Sequence, residues 1–270
     1  MKPSLLNGLL SAATALGICT SIGAQSTTPQ AIQHAPDGGV RETLQSIDIP
    51  TLTNAPFTAN VDTEWTKIMP DGTTATQKNH RTVARDTSGR VFQERRFFAP
   101  EGDKLPTQLS QLEYMDPNRH EYYRCVPREK TCYLSQWMRA ALTAMPAGTT
   151  GLRVCGCATA QRPGISVQNE ALGQKTIEDV DVIGSREVTT IAKGQIGNEK
   201  AEPIVKEFWY SPRLGINVVT KRFDPRSGMQ NFVVDNISRD EPDPKLFEPP
   251  ADYQVVRQVV ERPGLAQARP

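Results

Sequence analysis

From Phe57 to Met69 the chain reads FTANVDTEWTKIM, and its odd positions bring Phe57, Ala59, Val61, Trp65 and Met69 to one side while the even positions offer only Ile68. A two-residue period of this kind predicts an antiparallel strand with one buried and one wet face. The turn signals Pro70–Gly72 (PDG) and Thr87–Gly89 (TSG) then set off a polar run to about Asp86 and the run RVFQERRFFA. TQLSQLEYM, EYYRCV and TCYL continue the series to residue 134, parted by DPNRH and PREK. Later come GISVQNEALG, DVDVIGSREVTTIA, IVKEFWYS, INVVTKRF and MQNFVVDNI, parted by Gly, Pro, Asp and Asn. Ten or eleven strands joined by short turns predict a mainly β fold built on one large antiparallel sheet. A parallel α/β fold lacks its helical crossovers here.

One segment follows a helical period instead. SQWMRAALTAM, residues 135–145, sets Trp137, Met138, Ala141, Leu142 and Met145 along one face, and Pro146 with Gly148 ends it. Tryptophan and methionine make a soft apolar surface suited to acyl chains. Trp137, Met138, Leu142 and Met145, with Trp65 on the first strand, are therefore the candidate ligand-facing set. The plainer reading of the same face is a helix packed on the sheet.

The first residues, MKPSLLNGLLSAATALGICTSIGAQS, place Lys2 before an apolar run ending in Ile22-Gly23-Ala24, the pattern of a secretory signal cleaved after Ala24. Cys19 follows Ile18 rather than a small residue, which disfavours a lipid anchor. Residues 25–54 open with a Gln/Thr/Pro/Gly-rich stretch and are assigned to a flexible leader, 55–256 to a single β domain, and 257–270 to a disordered tail. The expected location is the periplasm or outside the cell, and the protein is not expected to be integral to a membrane. The chain holds 31 basic and 30 acidic residues, so charge gives no case for nucleic acid or an anionic membrane surface.

Export gives the cysteines a meaning. Past the signal lie Cys125, Cys132, Cys155 and Cys157, an even number in an oxidising compartment. Cys125 and Cys132 stand at equal distances from the centre of the turn PREK, so a hairpin would oppose them with Cβ atoms about 4.5 to 5.5 Å apart, close to disulfide geometry. That leaves Cys155 with Cys157, where Gly156 permits the tight turn such a bridge requires. A redox couple and a thiolate metal site are the other readings of CGC, although neither a CxxC pair nor zinc-type spacing is present.

Catalytic signatures are missing: there is no G-x-S-x-G elbow, no H-E-x-x-H and no phosphate-binding glycine loop. His34, His80 and His120 are the only histidines, spread over the leader, a strand and a turn, and no metal site or cofactor is expected from them. Arg90, Arg95 and Arg96 read as the wet face of a strand, with phosphate or lipid headgroups as the functional alternative. The acidic DEPDP at 240–244 reads as a solvated turn rather than a calcium loop.

Three stretches of the second half carry a resemblance: LGQKTIEDVDVIGSREVTTI (172–191), EFWYSPRLGINVVTKRFDPRSG (207–228) and ISRDEPDPKLFEPPADYQVV (237–256). A Gly-ended strand before a V-x-V strand, a W-Y-S-P strand entering a hairpin, and a DP-x-x-F-x-x-P turn before the last strand resemble a group of uncharacterised secreted bacterial proteins. More distantly they resemble the LolA and RseB superfamily of periplasmic lipoprotein carriers and envelope-stress regulators. The resemblance implies a strongly curved antiparallel half-barrel, one or two helices over its concave face, and an apolar concavity that takes a lipid or lipoprotein acyl group without catalysis. The alternative is a structural or sensory envelope protein that docks another protein through its sheet and has no ligand cavity. Greater length, the four cysteines and low helical content set this chain apart from the carriers.

Overall fold

The computed structural model describes residues 47–136 and 163–258. Twelve strands account for most of them: β1 Phe57–Ile68, β2 Thr74–Arg85, β3 Val91–Arg96, β4 Leu109–Asp116, β5 Glu121–Val126, β6 Thr131–Gln136, β7 Ile165–Ile177, β8 Val180–Ile191, β9 Glu202–Ser211, β10 Ile216–Asp224, β11 Gly228–Ser238 and β12 Gln254–Arg257. All belong to one sheet in the order β12-β6-β5-β4-β3-β2-β1-β11-β10-β9-β8-β7. The large, mainly antiparallel sheet is the one the residue pattern predicts.

Its topology is richer than a single meander. Two meanders, β1–β6 and β7–β11, lie side by side and join where β1 pairs with β11. Turn residues specify sequential hairpins, whereas this long-range seam is selected by matched apolar faces, with Val61 opposite Val234 and Thr63 opposite Phe232. β6 and β7 follow each other in the chain, yet they stand toward opposite ends of the sheet. The last strand, β12, pairs parallel to β6, the one departure from antiparallel pairing.

One face of the sheet holds the larger core: Phe57, Ala59 and Val61 of β1 pack with Val83, Val91, Phe232, Val234, Ile216 and Val218, all buried. Each of the valines, isoleucines and phenylalanines contributes about 1.5 to 3 kcal/mol on burial. Ile47 and Ile49 belong to the same cluster, so the packed chain begins upstream of residue 55, inside the stretch read as leader. Arg85, fully buried, fastens this end of the core. Its Nε donates to Ala55 O (2.9 Å), its Nη1 to Pro50 O (2.9 Å) and its Nη2 to Leu214 O (2.7 Å).

The opposite face of the first meander carries a second cluster of Ala84, Phe92, Tyr114, Cys125, Cys132 and Phe247. Cys125 and Cys132 are direct cross-strand partners and form a disulfide, as their spacing about the turn predicts. The turn itself is a 3₁₀ turn, Pro127–Glu129, closed by Lys130 in the left-handed region at φ 45°. A second 3₁₀ turn, Pro244–Phe247, is capped by Asp243 and inserts Phe247 into this cluster, with Arg90 over the ring at 5.0 Å. The acidic run around it makes a structural turn: Glu241 accepts from the Thr87 amide and hydroxyl, and Asp243 from the Lys245 amide.

These 3₁₀ turns are the helical elements among the described residues. Of the helix expected over 135–145, Ser135 and Gln136 belong to β6, where they extend the hairpin register opposite Tyr122 and Glu121. Residues 137–145 and the CGC segment lie outside the described residues.

Candidate functional site

Along β1 the main core face changes from apolar to polar. Residues directly opposed across strands share a face, so the register carries Thr63 to Asn79, Val61 to Arg81, Val83 to Gln93, Gln93 to Glu113 and Arg95 to Gln111. Thr63, Asn79, Arg81 and Gln93 are buried. A pocket of about 260 Å³ opens among Asn79, Arg81, Arg95, Gln111 and Glu113, with Phe98 in its wall.

The pocket is cationic. Arg95 donates through Nε and Nη2 to Glu113 Oε2 (3.0 and 2.8 Å), and its Nη1 is buried with no hydrogen-bond partner. Arg96, also in the lining, is held by Glu94 through two bonds of 2.8 and 3.1 Å and donates from Nη1 to Thr107 O at 2.6 Å. Burial, and next the Arg95 guanidinium, push Arg81 down to about 9, while Glu113 and Glu94 pull the other way. Three arginines thus line the pocket beside the single carboxylate of Glu113, while Glu94 pairs Arg96 from outside the lining, and charge imbalance in a partly buried space is costly. Arg95 and Arg96 are half-buried and paired rather than on the wet face expected of them.

Beyond Phe98 lies an open cleft of about 680 Å³ formed by the β3–β4 connection, with Phe97, Phe98, Pro100, Leu105 and Pro106 in its lining. The connection is fixed to β2 by a bridge in which the Lys78 amide donates to Ala99 O (2.7 Å) and the Ala99 amide to Lys78 O (2.9 Å). Gly102 enforces the approach, because a Cβ there would stand 2.0 Å from Lys78 O. On this anchored loop Leu105 is 65 % exposed and Phe97 49 %, and the two share one cleft rather than being scattered singly. Arg128 stacks over Phe97 at 5.9 Å. The apolar cleft and the cationic pocket share Phe98 as a common wall.

Trp65, the one candidate ligand residue within the described chain, stands edge-on to Phe98 with ring centroids 6.2 Å apart. Lys67 lies over its ring at 4.0 Å. Trp137, Met138, Leu142, Met145, Cys155 and Cys157 lie outside the described residues. The sequence reading missed Phe97, Phe98, Leu105, Asn79, Arg81 and Gln111. A signal for the loop was present in FFAPEGDKLP, where two aromatics and a leucine sit among Pro, Gly and charged residues that end strands. No comparable signal marks the pocket, since Arg81 and Asn79 occupy buried positions on a strand that reads as polar throughout.

No family model matches the chain, and no curated protein matches it. Among solved structures it is similar to an uncharacterised conserved protein from Thermus thermophilus, at 11% identity and TM-score 0.39, covering 77% of this chain and 93% of that one. It is also similar to the MucA/MucB complex of Pseudomonas aeruginosa, at 11% identity and TM-score 0.35, covering 75% of this chain and 58% of that one. A LolA superfamily protein from Nitrosomonas europaea follows at 11% identity and TM-score 0.26, covering 73% and 91%. No helix among the described residues is long and apolar enough to cross a membrane.

Proposed function

We propose that this is an exported, non-enzymatic envelope protein that binds a lipid or lipoprotein acyl group. The observation that carries the reading is the apolar cleft of about 680 Å³, in the size range of small-molecule sites, which shares Phe98 with a guanidinium-lined pocket. An acyl chain lies along Phe97, Phe98 and Leu105, and a polar head reaches toward Arg95 and Arg81. Trp65 backs the aromatic wall, and the Trp137, Met138, Leu142 and Met145 face remains a proposed contribution to the same ligand. The signal pattern at residues 1–24 and the Cys125–Cys132 bridge favour a periplasmic or secreted setting.

Native mass spectrometry after incubation with palmitate tests the reading. One palmitate adduct is expected on the unaltered protein, and its loss is expected in Phe98→Ala with the fold retained by circular dichroism. Absence of any adduct on the unaltered protein at ligand concentrations near saturation refutes it.

A second reading, docking of another envelope protein, is favoured by β7. This strand is thirteen residues long and mostly exposed, and among the described residues it is an edge of the sheet that can accept an added strand. Cross-linking through a photoreactive group at Gln168, with and without palmitate, separates the two.

A further inference from the structure

On the face of β1 turned away from the main core, three side chains from three neighbouring strands converge. Asp62 of β1 is the direct cross-strand partner of His80 of β2, and Asp235 comes from β11 on the other side of β1. One ligand atom from each lies within 4.8 Å of the others, and this is the one such cluster of metal-ligating groups among the described residues. His80 Nδ1 and Asp62 Oδ1 are 2.5 Å apart. Both side chains are about two-fifths exposed, so an ion can reach them from solvent.

Asp235 supplies the second, independent observation. Its Oδ1 is buried and has no hydrogen-bond partner. A buried carboxylate oxygen without a donor is costly, and here a second carboxylate stands beside it. Burial, followed by the Asp62 charge, raises the Asp235 pKa, with His80 and a hydrogen bond from the Asn236 side chain opposing and Glu178 adding to the rise. Glu178 Oε2 accepts from the Asn236 amide at 3.2 Å, which holds a third carboxylate in the neighbourhood. Three carboxyl groups thus surround one imidazole, which pairs with only one of them through Nδ1.

We infer that Asp62, His80 and Asp235 form a binding site for one divalent transition-metal ion of the zinc class. The donor set of one imidazole and two carboxylates suits zinc or cobalt, whereas calcium and magnesium favour all-oxygen shells. Paired strands hold the three Cα positions in register, so metal binding requires side-chain adjustment rather than backbone movement. Water completes the coordination, as it does at three-ligand zinc sites. The sequence did not reveal the site because its ligands are separated by 18 residues between Asp62 and His80 and by a far longer interval before Asp235. No short ligand spacing exists to be read. The inference is independent of acyl binding, since these residues occupy the sheet face opposite Thr63 and Val61.

The test is a zinc titration by calorimetry and a cobalt titration followed by visible absorption. It uses the full mature chain, oxidised, alkylated and stripped with chelator. One equivalent is expected to bind, with cobalt giving a ligand-field band. Asp62→Asn/Asp235→Asn is expected to weaken zinc by at least about tenfold. His80→Ala, which keeps His34 and His120, is expected to do the same, so histidines elsewhere cannot account for the signal. The metal-free variants are expected to melt with the unaltered protein, because all three side chains are only partly buried. If neither metal binds, if calcium or magnesium binds in preference, or if zinc binds both variants as tightly as the unaltered chain, the site is refuted and Asp62–His80 is an ion pair only.

Discussion

The two meanders differ in what they are built to do. In β7–β11, the residues behind the family resemblance are fold devices: Trp209 of W-Y-S-P lies so close to Gly184 that a Cβ there would stand 2.6 Å from its ring. Ser211 of the same motif accepts from the Leu214 amide (3.2 Å) in the turn that Arg85 clamps, and Phe247 of DP-x-x-F-x-x-P fills the cluster behind the disulfide. In β1–β6, which carries none of those motifs, lie the cationic pocket, the apolar cleft and two of the three ligands of the proposed metal site. A resemblance carried by the second half therefore speaks to architecture. The proposed ligand chemistry falls in the first half, outside those motifs.

The sharpest way to break that division is at Arg85, where a residue of the first meander holds the second. Arg85→Met removes three hydrogen bonds from a charged group, to the buried carbonyl of Leu214 and the half-buried carbonyls of Ala55 and Pro50, and strips those acceptors of their donor. A loss of about 3 to 5 kcal/mol is expected in urea unfolding, from charge-assisted hydrogen bonds worth about 1.5 to 3 kcal/mol each. A loss below about 1 kcal/mol would show that the two halves are joined by the β1–β11 seam alone.

The disulfide tests the first meander by itself. Closing a loop with a sequence separation of 7 is worth about 2.5 kcal/mol in the chain-entropy account. Cys125→Ala/Cys132→Ala is expected to lower stability by roughly that amount and to leave palmitate binding unchanged, because the bridge lies on the face opposite Glu113 and Arg81. A binding loss exceeding the unfolded fraction would show that the two faces are coupled.

Alkaline titration probes the same cluster more gently. Burial, then Tyr253 and Glu94, push the Tyr114 phenol up to about 12. A folded-state pKa above the unfolded value of about 10 contributes stability that is complete below pH 10 and is lost as pH rises toward 12. Two units correspond to about 2 to 3 kcal/mol at the ceiling. The urea midpoint is expected to fall between pH 10 and 12, and Tyr114→Phe is expected to flatten that fall. Equal slopes for both proteins would remove Tyr114 as the cause.

How much of this was legible in the residues follows from range. Strands, turns and the Cys125–Cys132 bridge are written within a few positions of one another, as the PDG, TSG and PREK turns show. The β1–β11 seam, the parallel β12–β6 pair and the pocket of Asn79, Arg81, Gln93, Arg95 and Glu113 depend on which strands pair and in what register, and periodicity carries no such information. Arg81 is the clearest case. An arginine on a strand reads as solvated, and only the register that sets it opposite Val61 buries it.

The smallest expected change in stability carries the most information about the cleft. Leu105 is mostly exposed on a loop whose position is fixed elsewhere, by Gly102 against Lys78 O and by the Ala99 bridge. Leu105→Ser should therefore move the unfolding free energy by no more than about 0.5 kcal/mol. If Leu105 is exposed because a ligand covers it, the same substitution should weaken palmitate binding several-fold, as expected when one well-placed apolar side chain is removed from an acyl contact. An unchanged affinity alongside unchanged stability would mean that the chain of the ligand lies elsewhere on the sheet. Loss of both together would mean that the loop is a packing element, and the division between a structural half and a binding half would then fail where the present structure draws it most clearly.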